Sequence, residues 1–293
     1  MNSQTLQHVA RSAWHRGEPM PASWTTTIGR VAFINCDPLF TGLDPSWSIL
    51  AAPPSWLTGH VLRRDCIIAP IPAADFAEHH EALMLVPDIG IGSAGEVGSV
   101  LLFGDQSLET MKRIAVPTDS ASSVALLRWL IHERGLKVEF VRMGPDLDAM
   151  LRVADGALII GDRALDGARQ RPGSVRMDLG QAWSDRLGLP MVFGVFVARR
   201  DANLSDVKAA HAALVERLEA FEAGGDARAA VLERAHAHTG LDRERLDRYF
   251  GEVFNRLGEA DRDGLHAFLS QVCDLAKPPT WAWDEPVARE VAS

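Results

Sequence analysis

The sequence predicts an α/β protein of two lobes around a cleft, completed by a helical C-terminal section. Three observations predict it. From Ile28 to Val86 short apolar runs alternate with helix-like stretches, the pattern of a largely parallel sheet. Two long apolar strands, 97–103 and 191–198, flank a second block of the same kind. If each crosses between lobes, that block is an inserted lobe. Beyond Asp201 helical periodicity takes over. One continuous doubly wound sheet is the alternative topology.

The elements follow in chain order. Ile28–Ile34 and Trp47–Ala51 read as strands. Pro53-Pro54 opens a helix to about Arg64, because proline is tolerated in a first turn. Cys66–Ile71 is a buried strand stopped by Pro72, followed by a short helix Ala73–His79 and a strand Ala82–Val86. A glycine-rich stretch, 88–99, leads into strand Val97–Phe103. Arg113–Pro117 is a strand, and Ser123–Arg134 a helix with Val124, Leu127, Leu130 and Ile131 on one face. Val138–Arg142, Gly156–Ile160 and Met191–Ala198 are strands, with a short helix Leu147–Val153 between the first two. Helices are predicted at Ser205–Ala223, Asp226–His238, Asp242–Leu257 and Asp261–Leu275. Residues 1–26 are polar and form an expected flexible tail. Residues 27–105 with 199–293 make the first lobe, and 106–198 the inserted one.

Bulk properties exclude several function classes. A net charge of −9 argues against nucleic acid as partner, since that affinity comes from Lys and Arg on phosphates. No apolar run reaches the ~18 residues of a membrane span. The first residues carry no apolar signal region, so a cytoplasmic protein is expected. Cys36, Cys66 and Cys273 form no CxxC pair, and the ten histidines show no ligand spacing. A reduced compartment and no metal are expected.

Candidate residues gather where strands end, which is where ligands bind in α/β sheets. Asn35, in the run Asn35-Cys36-Asp37-Pro38, either caps a turn or offers its amide to a ligand. Cys36 lacks a neighbouring base and reads as a packing thiol. The bend Ala69–Asp75 starts a helix and is either simple initiation or an anion site. Thr118-Asp119-Ser120-Ala121-Ser122-Ser123 holds more hydroxyls than capping needs, which favours an anion site at a helix start. Gly161-Asp162-Arg163 follows a strand; its two charges pair with each other or one faces ligand. There is no P-loop, no dinucleotide fingerprint and no GxSxG.

Six segments in order carry a resemblance: IGRVAFINCDPLF, CIIAPIPAADF, PDIGIGSAGEVGSVLLF, VPTDSASSVALLRWL, ALIIGDRAL, and DLGQAW with GLPMVFGVFVAR. Together they resemble the chorismate dehydratases of the futalosine route to menaquinone. More distantly they resemble the 1,4-dihydroxy-6-naphthoate synthases. The resemblance implies a periplasmic-binding-protein-like fold of type II. It implies conversion of chorismate to 3-[(1-carboxyvinyl)oxy]benzoate and water, without a cofactor. Those synthases carry a histidine where this chain has Gly161, which favours the dehydratase. Ala73 stands where the family often has serine, which leaves a backbone contact there. On this reading Asn35 is catalytic. Pro72, Ala73, Ser99, Thr118, Asp119, Ser122, Ser123, Gly161 and Asp162 contact the small dicarboxylate substrate. A substrate carboxylate takes the proton; Asp37 or Asp119 as base is the competing hypothesis. A cytoplasmic small-carboxylate sensor is the alternative function.

Overall fold

A computed structural model describes residues 23–283. The expected tail lies outside the described residues as far as position 22; Trp24–Thr26 form a single 3-10 turn. The elements run β1 Thr27–Val31, α1 Asp37–Phe40, β2 Ser48–Ala52, α2 Pro54–Leu62, β3 Ile68–Pro72, α3 Ala73–His79, β4 Leu83–Ser93 and β5 Val100–Gly104. They continue with β6 Arg113–Pro117, α4 Ala121–Glu133, β7 Glu139–Met143, α5 Leu147–Val153, β8 Gly156–Ile160, α6 Asp162–Gln170, β9 Val175–Asp178 and α7 Leu179–Leu187. The rest is β10 Met191–Arg199, α8 Leu204–Glu222, α9 Gly225–Thr239, α10 Arg243–Glu252, β11 Phe254–Arg256 and α11 Glu259–Gln271.

Two sheets result, one ordered β11-β4-β10-β3-β1-β2 and the other β7-β6-β8-β5-β9. Neither is largely parallel, a correction to the expectation. β1 runs parallel to β2 and β3, but β10 returns antiparallel between β3 and β4. In the second sheet β6 is parallel to β7 and β8, while β5 opposes β8 and β9. The strand at 100–104 lies in the second sheet and the strand at 191–199 in the first. The chain therefore passes between sheets at 94–99 and again at 179–190.

Several boundaries differ from the sequence reading, each for a local reason. The strand expected to reach Ile34 stops at Val31, and Ile34–Cys36 wind into a 3-10 turn that feeds α1. Pro38 suits such a first turn. The strand at 82–86 runs on through the first part of the glycine-rich stretch, to Ser93, as one strand, β4, which is buried throughout. Gly92 is required there, because a Cβ would collide with the Phe254 ring on β11. The helix expected to reach Leu257 ends at Glu252, since Phe254 and Arg256 pair with β4 instead.

One large core runs through both lobes, and a second, smaller one, built around Phe103, Met150 and Ile159, belongs to the second sheet alone. Trp183 on α7 is fully buried, packs on Trp129 of α4 and Phe268 of α11, and donates its Nε1 hydrogen to Pro190 O at 3.1 Å. No described helix is long and apolar enough to cross a membrane.

Candidate active site

The carboxyl ends of β1, β3, β6 and β8 converge on a cleft between the sheets. It encloses about 560 Å³, counting its open mouth. Phe33, Phe193, Ile71, Ile91 and Ile160 supply apolar wall, and Asn35, Ser99, Ser120, Ser122 and Ser123 supply the polar side chains. Among the described residues, none on the lining carries an ionisable side chain. Among the described residues no cluster of His, Cys, Asp or Glu is placed to hold a metal ion.

Asn35 sits on the 3-10 turn beyond β1 and is buried. Its Oδ1 has no hydrogen-bond partner among the described residues. A buried acceptor left unmet costs about 1–3 kcal/mol, so this atom is fit to receive a ligand hydroxyl. Cys36 beside it is inert: burial pushes its thiol up to about 12. Asp37 is buried behind the turn between Arg30 and Arg234, with the Arg234 Nε at 3.1 Å. Burial raises its carboxyl, and the two guanidinium groups pull it back.

The start of α4 forms one polar wall. Ser120 stands at the N-cap, yet no side chain caps the helix. The first-turn amides are thus left to backbone neighbours or a ligand. Their partial positive charge favours an anion by about 0.3–2 kcal/mol. Ser122 Oγ accepts the Ala74 N–H of α3 at 3.2 Å. The two helix starts read in the sequence as candidate anion sites are therefore bonded to each other across the cleft. Ser99 Oγ accepts the Tyr249 hydroxyl at 3.1 Å, which turns its own hydrogen elsewhere. Desolvation raises the Tyr249 hydroxyl and keeps it a donor.

Gly161 holds φ 64° and ψ −147°, a backbone state that a side chain disfavours. A Cβ there would sit 2.7 Å from the Phe33 ring. Arg163 Nη2 donates to Asp119 at 2.6 Å, and its guanidinium carbon lies 5.4 Å from the centre of the same ring.

Six residues singled out in the sequence thus share the cleft: Asn35, Pro72, Ser99, Ser122, Ser123 and Gly161. Four are not on its wall. Ala73 is buried in the first turn of α3, Thr118 is exposed, Asp119 faces Arg163, and Asp162 faces Ile34 and His238. Ser120 joins the wall and is absent from the sequence-derived contacts. Its position as last residue before the helix is the signal that could have found it. Phe33 and Phe193 carry no such signal, because an apolar residue in a strand reads as core.

A cleft between two mixed α/β sheets is the architecture of periplasmic binding proteins. A Candida albicans protein described as having the generic periplasmic-binding-protein fold aligns with TM-score 0.61 and 13% identity over 88% of this chain and 90% of its own. An alkanesulfonate-binding protein from Xanthomonas axonopodis pv. citri gives 0.59 and 17% over 89% and 96%. A protein from Archaeoglobus fulgidus gives 0.70 and 19% over 84% and 95%. These likenesses establish the fold alone. The sequence narrows the class: the chain belongs to the menaquinone biosynthesis family, whose model matches residues 26–273. A chorismate dehydratase from Thermus thermophilus is 31% identical over 259 residues, 82% of this chain and 93% of its own.

Proposed function

We propose that this protein is a chorismate dehydratase, a carbon–oxygen lyase acting in menaquinone biosynthesis. Family membership and the Thermus relative support the substrate. The observation that carries the chemistry is a mostly apolar cleft whose polar side chains, among the described residues, are the Asn35 amide and four serine hydroxyls, with no ionisable group beside them.

Chorismate loses a ring hydrogen from the carbon bearing the enolpyruvyl ether and the hydroxyl from the adjacent carbon. The C–H electrons become the new ring double bond as the C–O bond breaks. The ring turns aromatic, and the products are 3-[(1-carboxyvinyl)oxy]benzoate and water. A positioned base accelerates such a step about 10²–10⁴-fold. Here the substrate's own carboxylate takes the proton, which finishes on the departing hydroxyl. Asp37 and Asp119 are both engaged by arginines and stand off the wall. Asn35 receives the substrate hydroxyl at Oδ1 and orients it. The hydroxyls and amides at the start of α4 hold a carboxylate without a competing cation. Closure of the lobes excludes water and aligns the groups.

Incubation with chorismate, followed by mass spectrometry and aromatic absorbance, tests the proposal. One aromatic product lighter by one water is expected. Chorismate bound but recovered unchanged would instead identify a ligand-binding protein.

A further inference from the structure

We propose that Asp162 is a positioning residue that couples closure of the lobes to the placement of Asn35. It is the first residue of α6, in the part of the chain that carries the second sheet. Its side chain turns from the cleft and crosses to the first lobe. Oδ1 accepts the Ile34 N–H at 3.1 Å, and Oδ2 lies 3.3 Å from His238 Nε2 at the end of α9. The carboxylate is 15% exposed.

Ile34 opens the 3-10 turn that carries Asn35. Because β1 has ended at Val31, no ladder neighbour receives this amide. A residue of the opposite lobe does so. The residues on either side of Asp162 grip the same turn. Gly161 lets the Phe33 ring lie against its backbone, and Arg163 covers that ring. Three consecutive residues, Gly161, Asp162 and Arg163, thus clasp Phe33 and Ile34, the two residues that lead into Asn35. Parting the lobes breaks all these contacts together and leaves the turn without its acceptor. Asn35 is then held in working position only when the cleft is shut, which confines chemistry to the water-excluded state. A direct substrate contact is a poorer role for Asp162. Both its oxygens have protein partners, and its charge would repel a dicarboxylate.

The activity readout rests on the dehydratase reading, whereas the clasp can be read without it. Hydrogen exchange at the Ile34 amide, small-angle scattering and chorismate turnover are measured for wild type, Asp162→Ala and Asp162→Asn. In wild type the Ile34 amide is protected, and more so with the product 3-[(1-carboxyvinyl)oxy]benzoate present. In Asp162→Ala its exchange rises at least about tenfold, and the product no longer compacts the protein. Its kcat falls about 10–100-fold, the worth of a charge-assisted hydrogen bond, with a smaller change in KM. Asp162→Asn keeps an acceptor oxygen and stays within about fivefold of wild type. The proposal is overturned if the wild-type Ile34 amide exchanges as an open one, a result that does not depend on any variant folding. It is equally overturned if Asp162→Ala raises KM with kcat unchanged, or if Asp162→Asn is as damaging as Asp162→Ala. Absence of chorismate turnover in wild type, with Ile34 still protected through Asp162, would refute the dehydratase reading and leave the clasp standing.

Discussion

Replacing Gly161 with alanine adds one methyl group where the structure has no room for it. The backbone at φ 64° and ψ −147° is a conformation whose strain for a side chain costs about 1–3 kcal/mol. The new Cβ would meet three Phe33 ring atoms at 2.7–2.8 Å, so the ring must move. Moving it gives up the stacking of Arg163, worth about 0.5–1 kcal/mol at a half-exposed site. The sum is about 1.5–4 kcal/mol. At the ~2–4 °C per kcal/mol of domains of 150–250 residues, thermal unfolding should fall by roughly 3–16 °C. Phe33 also forms cleft wall, so kcat/KM for chorismate should fall by more than about tenfold, since misplacement near 1 Å costs about 100-fold. Differential scanning calorimetry and steady-state kinetics read the two effects. A Gly161→Ala variant with wild-type Tm and wild-type kcat/KM would refute the argument that Phe33 is wedged against this glycine.

Other predictions are independent of that wedge. Asn35→Ala should lower turnover at least about tenfold with little change in Tm, because its Oδ1 holds no protein partner among the described residues; kinetics beside calorimetry decide. Cys36, with its thiol raised to about 12 by burial, should resist alkylation at neutral pH in the native state and react once denatured, as peptide mass spectrometry would show. Asp201 is lowered from 3.8 to about 2, first by its hydrogen bond from Arg199. A carboxylate lowered in the folded state adds stability that is present above its unfolded value and lost as pH falls through the folded one. Between about pH 4 and pH 2, wild type should therefore lose more Tm than Asp201→Asn. Equal losses would show that the Arg199 pair contributes nothing.

The strand ends make the cleft legible in the sequence. Asn35 and Gly161 each follow an apolar run, and a rule about strand termini suffices to bring them together; Ser99 lies inside the expected strand Val97–Phe103 and enters only through the family resemblance. Thr118 and Asp119 show where such reasoning stops. In the run TDSASS every residue but Ala121 is polar, and only the phase of the helix start decides that Ser120, Ser122 and Ser123 face the cleft while Thr118 faces solvent. Asp37 is decided by Arg234, whose position beside it depends on how α9 folds back. Helix α6, DRALDGARQ, is sharply divided into a polar and an apolar face, a signal that reading Gly161-Asp162-Arg163 only as a strand end passes over. Strand β11 is three residues long, and its pairing with β4 exists only once the helical section has wrapped around. Local chemistry is written along the chain. Which lobe answers which turn is not.

The central claim is that this cleft dehydrates chorismate without a base supplied by its own side chains. Aromatic product formation from chorismate by wild type, Asn35→Ala and Asp119→Asn, each checked for product binding, tests it most directly. Wild type is expected to form product, Asn35→Ala to lose turnover, and Asp119→Asn to continue turning over. Full turnover in Asn35→Ala, with none in an Asp119→Asn protein that still binds, would contradict it.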